Sequence, residues 1–269
     1  MSIIKSTGAY LPEKILTNAD LEKIVDTSDE WIVQRSGIKQ RHIAADGETT
    51  ADLAIAAARD ALTRSGYGPN DIDGVIVATT TPDQTFPSVA VKVQAALGLP
   101  VGLAFDVQAV CTGFVYALAT ADNFIKAGQA KRLLVIGAEK MSSIVNWDDR
   151  TTCVLFADGA GAVVLEASEE AGRGILSTHL YANGAMRDLL YTNGGPSSTG
   201  GAGHIIMQGR EVFKYAVSYM AQAVEDALAA NDMSAADVAW LVPHQANIRI
   251  IEGCAKKLDL PMEKVVVTV

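Results

Sequence analysis

Asp60-Ala61-Leu62, followed by Asp71-Ile72-Asp73-Gly74-Val75-Ile76-Val77, recurs 166 residues later as Asp226-Ala227-Leu228 and Asp237-Val238-Ala239-Trp240-Leu241-Val242. Each copy reads as the end of an amphipathic helix, a polar turn, and a short apolar run with the length of a buried strand. Further on, Leu97-Gly98-Leu99-Pro100 is echoed by Leu258-Asp259-Leu260-Pro261 at an offset of 161. Two halves therefore share one βα pattern, which predicts a duplicated α/β fold.

Neighbouring segments fit the same scheme. Gly74-Val75-Ile76-Val77-Ala78 and Leu133-Leu134-Val135-Ile136-Gly137 alternate with Ala-rich stretches such as Thr49 to Ser65, whose apolar spacing suits helices. The strands are apolar almost throughout, the pattern of a sheet covered by helices on both faces. The first half closes on Gly161-Ala162-Val163-Val164-Leu165-Glu166, so a full second copy is expected to end near residue 332, beyond Val269. The expected division is 1–167 for the first half and 168–269 for an incomplete second half.

Over 269 residues, 49% hydrophobic and 20% charged, the composition excludes intrinsic disorder and a small disulfide scaffold. A net charge of −9 argues against nucleic acid or an anionic membrane as partner. No apolar run approaches the ~18 residues of a membrane span, and Met1-Ser2-Ile3-Ile4-Lys5 lacks the layout of a signal peptide, so the cytoplasm is the expected compartment. Three widely spaced cysteines, Cys111, Cys153 and Cys254, leave at least one thiol unpaired.

Cys111 lies between a predicted strand, Leu103-Ala104-Phe105-Asp106-Val107, and a predicted helix from Thr112 to Ala127. A thiol at such a junction feels the helix dipole and unpaired N–H groups, which predicts a lowered pKa. Small neighbours, Ala109 and Gly113, leave room for a substrate carbonyl. Cys153 and Cys254 lack this setting and read as buried apolar residues. His244, in Pro243-His244-Gln245-Ala246-Asn247, ends the predicted strand Trp240-Leu241-Val242 and precedes a helix from Ile248 to Leu258. Both residues thus stand at strand C-termini, where open α/β sheets place ligands, and the repeat would let them meet across its pseudo-symmetry axis. His42, His179 and His204 have no comparable context. Gly194 to Gly201 lacks the ending of a phosphate loop, Gly159-Ala160-Gly161 precedes a strand, and Asp148-Asp149 reads as a solvated turn; no metal site is expected.

Asp106-Val107-Gln108-Ala109-Val110-Cys111-Thr112-Gly113-Phe114 and Trp240-Leu241-Val242-Pro243-His244-Gln245-Ala246-Asn247 closely resemble the thiolase-fold condensing enzymes of the β-ketoacyl-acyl-carrier-protein synthase III family. So do Thr17 to Leu21, Asp26 to Ile32, Gly37-Ile38, Arg41 to Ala44 and Asp158 to Ala162. The resemblance implies a duplicated, layered α-β-α-β-α fold. It also implies initiation of fatty acid synthesis: Cys111 takes an acetyl group, or another short acyl group, from acyl-CoA. The thioester then condenses with malonyl-acyl-carrier protein, with loss of carbon dioxide. His244 fits as an enolate-stabilising donor. A second donor, an Asn from a His-Gly-Asn segment, is expected by the repeat just past residue 269, at the counterpart of Cys111. CoA is a substrate in this reading, and no cofactor is implied.

Trp31 and Arg35 share a helical face and suit adenine stacking, or read as a core anchor beside a solvated charge. The resemblance assigns them to CoA with Thr27 and Arg150, and adds Asn247 to substrate binding. It matches Phe86 to a residue that caps the partner's acyl pocket, implying a homodimer; Phe156, Leu190 and Met207 suit pocket walls, or read as plain core. Lys214, Arg249, Lys256 and Lys257 form its basic patch for the acidic carrier protein, although Lys256 and Lys257 also suit a helix C-terminus. Two alternatives stay open: a thioester hydrolase using Cys111 and His244, and a non-catalytic CoA-binding chain.

Overall fold

The computed structural model describes residues 1–170 and 172–269. In chain order its strands are β1 (Ser2–Tyr10), β2 (Lys14–Thr17), β3 (Gln40–Ile43), β4 (Gly74–Ala78), β5 (Leu103–Val107), β6 (Arg132–Lys140), β7 (Asp158–Ala167), β8 (Leu190–Thr192) and β9 (Ile205–Met207). Its α-helices are α1 (Asn18–Leu21), α2 (Asp29–Ser36), α3 (Thr50–Ser65), α4 (Val89–Leu97), α5 (Gly113–Lys126), α6 (Gly209–Ala229) and α7 (Ile248–Lys257).

Packing divides the chain into two compact units. One comprises Met1–Ile15, His42–Ser143 and Ala157–Leu180; the other comprises Leu16–Arg41, Ile144–Phe156 and Tyr181–Val269. These units interleave along the chain, because they follow packing, whereas the division at 167 follows the repeat.

The first unit is a five-stranded sheet in the order β1-β7-β6-β4-β5. β4 runs parallel to β5 and β6, and β7 is antiparallel to β6 and β1. All five residues of β4 are buried, and they divide by the two-residue period of a strand. Val75 and Val77 face α3 and α4 through Ala54, Ala57, Ala58 and Val93, while Ile76 and Ala78 face α5 through Ala117 and Ala121. The uninterrupted apolar run thus reflects a sheet covered on both faces. β1 comes so close to α3 that a Cβ on Gly8 would lie 2.2 Å from the amide nitrogen of Ala61.

In the second unit, α6 and α7 pack through Ala221, Cys254, Leu258 and Leu260. The repeat is visible in its turns. The 3₁₀ turns Pro69–Asp71 and Ala235–Asp237 are equivalent, and Asp71 and Asp237 each accept from the backbone N–H three residues back. Just before them, Gly66 (φ 78°) and Asp232 (φ 54°) both hold the left-handed conformation that ends a helix.

Three sequence expectations are corrected. Trp240 to Val242 is not a strand: only Leu241 pairs, in one parallel bridge to Val265, and Trp240 and Val242 stay 65% and 72% exposed. The expected closing strand Lys264 to Val269 is likewise reduced to that bridge. Leu241 donates to the Lys264 carbonyl and accepts from Val266 N–H, which uses both of its backbone groups on one neighbour. Finally, Gly159-Ala160-Gly161 lies inside β7, where it pairs with β1 and β6.

Candidate active site

Cys111 sits where β5 turns into α5. Val110, Cys111 and Thr112 form a single 3₁₀ turn, and α5 begins at Gly113. Val110 has φ 48°, a left-handed conformation that a β-branched residue adopts only when its surroundings enforce it. Gly113 is equally constrained, since a Cβ there would approach that of Ala78 on β4 to 3.2 Å. The strained turn leaves Cys111 exposed to solvent and unpaired.

The expectation of a lowered thiol pKa is corrected. The surrounding protein desolvates the thiol and pushes its pKa up; a backbone hydrogen bond opposes this in part, and the negative field of Glu139 adds a smaller upward push. The helix whose dipole was expected to act starts two residues later, and Cys111 itself, with Thr112, belongs to the 3₁₀ turn. Desolvation by the surrounding atoms outweighs the dipole here.

His244 lies in an extended loop between Leu241 and α7, exposed at its surface but desolvated enough to lower its pKa. The imidazole is therefore neutral near pH 7. Its backbone is fixed by the neighbouring Gln245, whose amide donates to the Pro243 and Val266 carbonyls at 3.0 Å each and accepts from Thr268 N–H at 2.8 Å. Asn247 is the N-cap of α7, its side-chain oxygen accepting from Ile250 N–H at 2.9 Å.

Trp31, on α2, is partly buried rather than a core anchor. The guanidinium carbons of Arg35 and Arg150 lie 5.3 and 4.9 Å from its ring centre. Arg150 also donates to the Asp26 carbonyl at 2.6 Å. Thr27, next to Asp26 in sequence, has a buried hydroxyl with no hydrogen-bond partner among the described residues. The structure thus gathers Trp31, Arg35 and Arg150 into one cationic, aromatic cluster.

Leu190 and Met207 are directly opposite in the antiparallel ribbon β8–β9, and Phe156 is partly buried. Phe86 is 80% exposed. Arg249 lies over the Phe213 ring and Lys214 over that of Tyr215, at 5.4 and 5.5 Å, while Lys256 and Lys257 occupy the last turn of α7. Cys153 and Cys254 are buried, as expected. Among the described residues, no group of three His, Cys, Asp or Glu side chains is placed to hold a metal, and no helix is long and apolar enough to cross a membrane.

Two residues escaped the sequence reading: Gln245, which fixes the His244 loop, and Glu139, at the end of β6. Gln245 lay within the Pro-His-Gln-Ala-Asn cluster, and a lone Glu closing an apolar strand was the available signal for the other.

Residues 105–184 match the family model for 3-oxoacyl-[acyl-carrier-protein (ACP)] synthase III, and residues 228–269 match the model for its C-terminal part. The chain is 64% identical to the β-ketoacyl-[acyl-carrier-protein] synthase III of Rhodospirillum centenum, with all of this chain aligned to 84% of that protein. It is 60% identical, at the same coverage, to the enzyme of that name from Allorhizobium ampelinum. The crystal structure of 3-oxoacyl-[acyl-carrier-protein] synthase III from Aquifex aeolicus superposes with a TM-score of 0.94 at 49% identity, covering 100% of this chain and 84% of that one.

Proposed function

The chain belongs to the 3-oxoacyl-[acyl-carrier-protein] synthase III family, and from that premise we propose that it condenses a short acyl-CoA with malonyl-acyl-carrier protein to begin fatty acid synthesis. The observation that carries this reading is the strained turn presenting Cys111 between β5 and α5, inside the segment that fits the family model.

In the first half-reaction the Cys111 sulfur, as thiolate, attacks the thioester carbonyl of acyl-CoA. The acyl–sulfur bond to CoA breaks, and the CoA thiolate takes up a proton. In the second, the bond from the malonyl α-carbon to its carboxylate breaks, carbon dioxide leaves, and the freed electron pair bonds to the acyl carbon. Cys111 departs as thiolate and is reprotonated. A neutral His244 donates a hydrogen bond to the enolate oxygen formed on decarboxylation, a task the lowered imidazole pKa favours because the group need not lose a proton first.

In this reading Trp31 and Arg35, with Thr27 and Arg150, bind the CoA nucleotide, the cations serving its phosphates and the ring its adenine. Asn247 orders the His244 loop and lines the substrate path. Phe156, Leu190 and Met207 line the acyl pocket, and the exposed Phe86 serves a homodimer. Lys214, Arg249, Lys256 and Lys257 receive the acidic carrier protein. The reaction runs in the cytoplasm, a compartment that suits a chain with three free thiols.

Incubation with radiolabelled acetyl-CoA tests the proposal. The expected result is label held on Cys111, lost in Cys111→Ala, and transferred to malonyl-acyl-carrier protein with release of carbon dioxide. Steady release of free CoA and acetate without a labelled protein would instead establish a hydrolase.

A further inference from the structure

Glu139 closes β6 beside the Cys111 turn yet carries no part of the chemistry above. Its carboxylate accepts from Thr80 N–H at 2.8 Å, Thr81 N–H at 3.1 Å, the Thr81 hydroxyl at 2.6 Å and the Thr79 hydroxyl at 3.3 Å. All four donors belong to the bend that follows β4. The Thr81 hydroxyl donates to Glu139, since a carboxylate can only accept, while its oxygen accepts from Lys140 N–H at 2.8 Å.

The same bend is held from the other side by β5. Thr79 N–H donates to the Val107 carbonyl at 3.1 Å, and the Gln108 amide donates to the Thr80 hydroxyl at 3.1 Å. Val107 and Gln108 are the last residues before the strained segment that presents Cys111. A single carboxylate on one strand thus organises a bend on the second, and that bend grips the end of the third.

We propose that Glu139 is a positioning residue for acyl transfer: its carboxylate fixes the Thr79–Thr81 bend, which in turn holds Val107 and Gln108 and so aims the Cys111 turn. The proposal rests on Cys111 being the acyl acceptor. Its geometry sets it apart from a merely electrostatic role, in which the Glu139 charge would matter only by disfavouring the thiolate.

Two variants separate these roles. Glu139→Gln keeps the shape but loses the charge and half of the acceptor set; Thr80→Val keeps the charge and severs only the Gln108 contact. Thermal melting identifies folded protein. Acetyl transfer from acetyl-CoA gives kcat and KM, and iodoacetamide alkylation across pH gives the thiol titration midpoint. Both variants are expected to lower kcat by about tenfold or more with KM within about twofold, as misplacement of an attacking atom does. Only Glu139→Gln is expected to move the alkylation midpoint, to lower pH, so that its thiol is more ionised while its acyl transfer is slower.

Transfer rates within about twofold of the parent in either folded variant overturn the positioning role, since the relay through Thr80 is then idle. A Glu139→Gln rate that rises in step with the thiolate fraction overturns it in favour of charge alone. If Glu139→Gln does not fold, Thr80→Val decides by itself. Acylation persisting in Cys111→Ala would strike the underlying assignment of the nucleophile, a result distinct from all of these.

Discussion

Asp259 stands at the position of the repeat held by Gly98, and both are left-handed, with φ 53° and 65°. The next residue after each closes the helix in the same way: Leu99 N–H donates to the Gln94 carbonyl and Leu260 N–H to the Ala255 carbonyl, each at 3.0 Å. The backbone geometry of the helix end is therefore common to both halves, while one half meets it with the residue that adopts it freely and the other with one that does not.

Asp259→Gly is accordingly expected to stabilise the protein by about 0.5 kcal/mol, a rise in Tm of about 2 °C. Gly98→Asp is expected to cost about 1 kcal/mol. Thermal melting of the two variants checks both, and a fall in Tm for Asp259→Gly would show that the Asp side chain earns its place through a contact.

Because burial and the Glu139 charge raise the Cys111 pKa, the thiol stays protonated at neutral pH, and thiolate appears only as pH climbs through the raised value. Iodoacetamide alkylation of Cys111 is expected to speed up about tenfold per pH unit between pH 6 and 8, and to go on rising past the ordinary thiol range near 8.5. A plateau reached below pH 7.5 would show that the helix dipole governs after all.

Trp31→Ala removes the ring that two guanidiniums flank. The expected outcome is a KM for acyl-CoA raised roughly threefold to thirtyfold, from a cation–π and stacking loss of about 0.5–2 kcal/mol, with kcat nearly unchanged. Steady-state kinetics with varied acyl-CoA gives the answer.

Arg41 is buried and, among the described residues, has no carboxylate partner; its guanidinium donates to Asn18 Oδ1 and to the Val154 carbonyl. Burial pulls its pKa down to about 10, leaving it charged at neutral pH. Arg41→Met is expected to destabilise by about 2–4 kcal/mol, because both acceptors lose their donor inside the protein. Urea unfolding measures it, and a variant as stable as the parent would show that apolar packing replaces the fork.

The sequence carried the sheet and the turns well. β4 spans the residues predicted for it, since a fully covered strand writes its burial as an unbroken apolar run. Leu241 misled for the same reason: Trp240-Leu241-Val242 has the apolar content of a strand, but strand formation depends on neighbours, and only Val265 pairs with it. At the site, Cys111 was legible because its turn is local, lying between an apolar strand and an amphipathic helix. Its raised pKa was not, because it comes from desolvation by the folded surroundings, with a smaller push from Glu139, 28 residues further along the chain. Gln245 was hidden likewise, its partners at Val266 and Thr268 lying more than twenty residues downstream.

The pairing of β1 with β7 bears on the order in which the chain acquires structure. Ser2 lies opposite Ala167 and Tyr10 opposite Ala160, so β1 leaves the ribosome long before the strand it pairs with. At about 5–20 residues per second, β1 waits on the order of 10 s for its partner. During that time one edge of β1 lacks its partner strand, while α3, which β1 meets at Gly8, is already made.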